Sequence, residues 1–104
     1  MSEGFCAIWE FHVRADRQRE FERRYGPEGD WARLFRGAPG FIGLELLQDR
    51  ENGLRYVTLD RWTDAEAFRA FHASHAAEYA ALDRECQGLT EREAPLGEFG
   101  GLSG

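Results

Sequence analysis

Lysine is absent: all 13 basic residues are arginine, against 19 acidic residues and a net charge of −6. With no ε-amine, Schiff-base chemistry and Walker-type phosphate loops are excluded. The arginines interleave with glutamates along the chain, which leaves no continuous basic stripe for a phosphate backbone, so nucleic-acid binding is not expected. Cysteine is scarce too. Cys6 and Cys86 stand alone, without Cys/His spacing of the zinc type or a neighbour that argues for a nucleophile. They are expected to be reduced thiols, buried or half-buried. Long apolar runs are also missing. The stretch 5–9 stops at Glu10 and has no basic start, so neither a membrane span nor a signal peptide is expected, and the expected location is cytoplasmic.

What is present is an aromatic-rich globular composition, 42% hydrophobic with Phe 8 and Trp 3. A chain of this length fits one domain, 1–104, with an ordered core over 5–99 and a Gly-rich tail at 100–104. The alternation Phe5, Ala7, Trp9, Phe11, Val13 predicts a first strand. Asp16 is the expected cap of a first helix carrying Phe21 and Tyr25, broken by Gly26-Pro27. Asp30 is the expected cap of a short helix with Trp31, Leu34 and Phe35, ending near Gly37. Strands follow over 41–48, with Ile42, Leu44 and Leu46 on one face, and over 54–62, joined by a hairpin loop at 49–53. Thr63 and Glu66 form the expected capping box of one long second helix, whose inward stripe runs Phe68, Phe71, His75, Tyr79, Leu82, Cys86. Residues 90–99 predict a weak edge strand, interrupted by Pro95.

Strand, helix, two hairpin-linked strands, helix, strand is the β-α-β-β-α-β order of an α+β, ferredoxin-like fold with a four-stranded antiparallel sheet. Both helical segments must then cover one sheet face. The other face is expected to carry Ile8, Leu47, Tyr56 and Trp62 among Glu10, Glu45 and Asp60. That is too apolar to stay wet and too charged for a core, so a homodimer through this sheet face is expected, with ion pairs across it.

The run Ala38-Pro39-Gly40-Phe41-Ile42-Gly43 with Leu46-Leu47 downstream, and Asp60-Arg61-Trp62-Thr63-Asp64 leading into Ala67-Phe68, resemble the antibiotic biosynthesis monooxygenase family. The segment 25–31 resembles a subgroup with a lengthened first connection, and the similarity spans about residues 5–99. The resemblance implies a dimeric α+β barrel with a pocket between each sheet and its own helices. It also implies, for some members, oxidation of polycyclic aromatics by molecular oxygen without a cofactor, and for others haem cleavage. The haem-cleaving branch's asparagine, tryptophan and histidine fall at Trp9, Phe71 and near Ala81, none of which matches.

Several residues are candidates for a site. His75 suits a general base or hydrogen-bond partner for a phenol, since imidazole titrates near neutrality; a half-buried histidine bonded to a backbone carbonyl is the bland alternative. Tyr79, one turn on, is its polar neighbour, or core packing with a hydroxyl at the rim. Trp9, Phe11, Phe68 and Phe71 are candidate substrate-binding walls or simply core, and His72 flanks them on the solvent side. Glu10 and His12 share a strand face, but no metal-ligand spacing appears, and neither metal nor cofactor is expected. The function expected is a cofactor-independent monooxygenase acting on a small quinol- or phenol-like aromatic. The alternatives are a non-catalytic dimer binding a small apolar metabolite, a domain whose pocket its own side chains fill, and a haem-degrading monooxygenase.

Overall fold

The computed structural model describes residues 4–102. Strand β1 (Phe5–Val13) leads through a 3₁₀ turn (Ala15–Arg17) into α1 (Gln18–Tyr25) and α2 (Asp30–Arg36). Strands β2 (Phe41–Gln48) and β3 (Arg55–Trp62) form a hairpin. Helices α3 (Ala65–Ser74) and α4 (Ala76–Cys86) follow, then β4 (Thr90–Phe99). The sheet order is β2-β3-β1-β4, antiparallel throughout, with the first strand central and β4 at an edge. This is the α+β ferredoxin-like arrangement expected from the element order. None of the described helices is long and apolar enough to cross a membrane.

The odd positions of β1 bury Ala7, Phe11 and Val13 beneath the helices. Above them Phe21 and Tyr25, one turn apart on α1, stack at 4.3 Å and meet Phe11 at 5.3 and 4.9 Å. A second cluster centres on Trp62, whose ring lies 5.2 Å from Phe41, 5.5 Å from Phe71 and 5.7 Å from Phe35. The Tyr56 hydroxyl is held by Gln18 Nε2 at 3.0 Å and Gln48 Nε2 at 3.2 Å while donating to Glu22. A buried phenol is tolerated there because its polar end is satisfied.

The structure corrects several expectations. On β3 the face is inverted: Tyr56, Thr58 and Trp62 are buried against the helices, with Asp60 beside them, while Val57 and Leu59 lie on the opposite face. Pairing requires this, since Trp62, Asp60 and Thr58 oppose Phe5, Ala7 and Trp9, the inward residues of β1. Ile42 is 61% exposed, because a register shift between Phe41 and Gly43 inserts an extra residue and turns it out of the row formed by Leu44 and Leu46. Asp64, not Thr63, caps α3, its Oδ1 accepting from Ala67 N at 2.8 Å. Asp16 lies inside the 3₁₀ turn, and α1 begins without a side-chain cap. Asp30 enters α2 after Gly29 and pairs with Arg24 and Arg33. The long second helix is interrupted at His75 (φ −121°, ψ 28°). On the open sheet face Arg55 bonds Glu10 at 2.5 Å and Arg61 bonds Glu45 at 3.0 Å, so these carboxylates are paired within the chain.

Gly40 turns the chain from α2 into β2 at φ +87°, and its carbonyl accepts from Thr63 N at 2.8 Å. A Cβ there would sit 2.5 Å from Ala67 Cβ and 2.7 Å from Thr63 Oγ1. Backbone strain and overpacking combine, so Gly40→Ala is expected to lose about 2–4 kcal/mol, read as a lower urea midpoint.

Candidate functional site

A cavity of about 220 Å³ lies between the sheet and the helices. Its floor is Trp9 and Phe11 of β1, Leu44 of β2, and Thr58 and Asp60 of β3. Tyr25, Trp31 and Phe35 from α1 and α2 form one wall. Tyr79 and Asp83 of α4 form another, with Glu93 of β4 at the exposed rim. Trp31 meets Tyr79 edge-on at 4.9 Å, joining the two walls. The volume is small for a ligand pocket and suits one or two fused rings.

Asp60 is the chemically unusual member. Its cross-strand neighbours are Ala7 and Leu44, neither with a side-chain donor. Its Oδ1 is closed off from solvent and has no hydrogen-bond partner among the described residues. Burial therefore pushes the carboxyl up to about 7, from an ordinary value of 3.8. Such a group changes protonation at neutral pH, as a general base must. Burial also raises the Tyr79 hydroxyl to about 12, and Asp60, Asp83 and Glu93 add to it by charge. Glu93 is raised by burial and then by Asp83, while accepting a bond from Thr90 Oγ1 at 3.3 Å.

The candidates read from the sequence separate into groups. Trp9, Phe11 and Tyr79 line the cavity. Phe68 and Phe71 belong to the packing around Trp62, at 5.9 and 5.5 Å from its ring. His75 does not point toward Trp9 and Phe11. It stacks on Phe71 at 4.8 Å, its Nδ1 lies 2.9 Å from Ser74 Oγ, and it borders a separate shallow cleft with Pro39 and Ala70. The interruption between α3 and α4 takes it out of the inward stripe. His72, expected at the solvent side, is half-buried among Phe68, Phe71 and Tyr79, at 4.4, 5.4 and 4.8 Å. Burial lowers its affinity for a proton, with Glu98 opposing. Among the described residues no group of His, Cys, Asp or Glu is arranged to hold a metal ion. Asp60 was missed as a pocket residue because β3 was read with the wrong face inward. The signal was its two-residue spacing from Trp62, which the core had to claim.

Helices on one face of a four-stranded antiparallel sheet, enclosing an aromatic cavity with an unpaired carboxyl, define a small α+β protein built around a cavity between sheet and helices. The chain belongs to the antibiotic biosynthesis monooxygenase family, whose profile matches residues 4–81 and stops short of β4. A deoxynogalonate monooxygenase of Streptomyces nogalater is 35% identical over 78 residues. That match takes in 70% of this chain and 66%, just under two-thirds, of the relative's length. Among solved structures, SnoaB, a cofactor-independent oxygenase of the same organism, superposes with a TM-score of 0.72 at 24% identity, covering 99% of this chain and 97% of that one. A haem-degrading protein of Mycobacterium tuberculosis superposes with a TM-score of 0.70 at 26% identity, covering 96% and 97%.

Proposed function

We propose that the chain is a cofactor-independent monooxygenase of a small phenol- or quinol-like aromatic, with Asp60 as the base and Tyr79 as its polar neighbour. The observation that carries this is the half-buried Asp60, whose Oδ1 is closed off from solvent without a hydrogen-bond partner among the described residues, in the lining of an aromatic cavity. Trp9, Phe11 and Trp31 sandwich the ring; Asp60 takes the phenolic proton. The phenolate is a far better electron donor to oxygen than the phenol. For a phenol with a free ring position para to the hydroxyl, the substrate supplies all four electrons. One oxygen atom becomes the new carbonyl of a quinone, the other leaves as water, and the ring hydrogen and phenolic proton go with it. The dry, aromatic wall keeps the phenolate reactive by excluding solvent.

A purely non-catalytic pocket would be expected to pair its polar groups with one another, and Asp60 Oδ1 is unpaired. Haem fits poorly: the cavity is lined by Asp60, Asp83 and Glu93, with no cationic side chain among the described lining residues to pair with its two propionates. The test is oxygen uptake with a panel of phenols and hydroquinones. Asp60→Asn is expected to reduce uptake by ~10² or more, the scale of lost general-base help, and His75→Leu to leave it within about twofold. No uptake by the parent protein above the buffer rate would remove the oxygenase reading and put a binding role first.

The assembly belongs to the same proposal. Val57 and Leu59 share the open sheet face with Ile8, Leu47 and Phe99, the last two about half exposed. The charges between them are neutralised within the chain, by Arg55 with Glu10 and Asp49 and by Arg61 with Glu45. A second copy packed sheet to sheet covers these apolar residues and meets the charges between them as ion pairs already formed. Light scattering at micromolar concentration is expected to give twice the chain mass, and Leu59→Glu to give a single chain mass.

A further inference from the structure

The cavity's charge is one-sided. Asp60, Asp83 and Glu93 all line it, and none of the three forms an ion pair among the described residues, although the chain has 13 arginines. Elsewhere Asp30, Glu85, Glu10 and Glu45 are each taken up by an arginine. No arginine or histidine reaches the described cavity wall. The acids are graded in depth: Glu93 at the exposed rim, Asp83 half-buried on α4, and the Asp60 Oδ1 closed off from solvent without a partner. All three act on the same Tyr79 hydroxyl. Trp9 and Trp31 add the electron-rich faces that attract a cation.

We propose that the pocket selects aromatic substrates carrying a protonated amine: Asp83 and Glu93 hold the ammonium at the rim while the hydroxylated ring lies inward against Asp60. This rests on the proposed aromatic site and names the class of ring that enters it. An anionic ring is repelled by three carboxyls, and a neutral one leaves the two at the rim uncompensated. A cation relieves that mutual repulsion, the part Asp83 adds to burial in holding the Glu93 carboxyl above its ordinary value.

Three probes with the same phenol ring and different arm charge separate these cases: tyramine, 4-ethylphenol and 3-(4-hydroxyphenyl)propanoate. Calorimetric titration at pH 8, above the value of about 7 at which the Asp60 carboxyl titrates and where the amine is protonated, is expected to show tyramine binding on the order of 10-fold more tightly than 4-ethylphenol. The propanoate is expected to bind weakest. In Asp83→Asn/Glu93→Gln the tyramine preference is expected to fall to within about twofold. Equal or tighter binding of 4-ethylphenol, propanoate binding as tight as tyramine, a preference that survives the double substitution, or no binding of any probe would each overturn the proposal. Oxygen uptake is a separate readout, made on the panel of phenols with a free para position and hydroquinones, because all three probes are blocked there. Amine-selective binding without uptake removes the oxygenase reading and keeps the charge selection, and charge-blind binding with uptake does the reverse.

Discussion

Asp60→Asn is expected to stabilise the protein by up to about 4 kcal/mol at pH 8 and to change it little at pH 4. The folded carboxyl titrates at about 7, against 3.8 for the exposed group. Between those values the folded chain holds a proton that the unfolded chain has released. Stability therefore falls as pH rises through this window, and the full penalty is present above it. The difference of about 3 pH units corresponds to roughly 4 kcal/mol as an upper figure, since one unit is about 1.4 kcal/mol. Asparagine has nearly the shape of the protonated acid and no charge to desolvate. Urea midpoints of parent and variant across pH 4–8 check this, and a difference that stays flat would mean that the Asp60 carboxyl is solvated. A residue whose removal strengthens the fold while weakening turnover is retained for its chemistry.

Trp62→Ala is expected to lose 3–5 kcal/mol, the range for deleting a large buried aromatic. The ring is 1% exposed and sits among Phe35, Phe41, Phe68 and Phe71, where β2, β3, α2 and α3 converge. A domain of this size has about 5–15 kcal/mol in total, so the melting temperature should drop by roughly 12 °C or more. Trp62→Phe is expected to lose less than about 2 kcal/mol. It keeps most of the ring contacts and removes an indole N–H that has no hydrogen-bond partner. Thermal melts and urea titration of both variants check the pair. An alanine variant melting within a few degrees of the parent would show that this cluster does not hold the sheet to the helices.

The strands were legible because their alternation is strong: Phe5 to Val13 carries five apolar residues at odd positions, and its bounds follow from the pattern alone. What the alternation could not resolve was β3, where both faces carry large side chains, Tyr56 and Trp62 on one and Val57 and Leu59 on the other. Local pattern is then ambiguous, and only pairing with Ala7 and Trp9 of β1 decides which row is inward. The same ambiguity hid Asp60, since a carboxyl is assigned to water by default. Ile42 failed for a different reason, a bulge that no periodic template anticipates. The helical wheel through His75 assumed one unbroken helix; the interruption there rotates the residues after it and leaves Tyr79 on the cavity wall without its expected partner. The sequence places Tyr25, Trp31 and Phe35 on the first helix and the short helix after it without marking them as pocket residues, because packing against a core and lining a cavity within it use the same spacing.

The interruption at His75 also divides the labour of the helical layer. On the α3 side Phe71 is buried against Trp62, whereas the first turn of α4 exposes Ala76, Ala77 and Glu78 and gains depth only at Leu82 and Cys86. The segment that carries Tyr79 and Asp83 is thus tethered at its far end and lightly seated near the joint. The width of the gap between the two aromatic walls is therefore set by how that segment seats, whereas the Trp62 cluster rests on α3 and is independent of it.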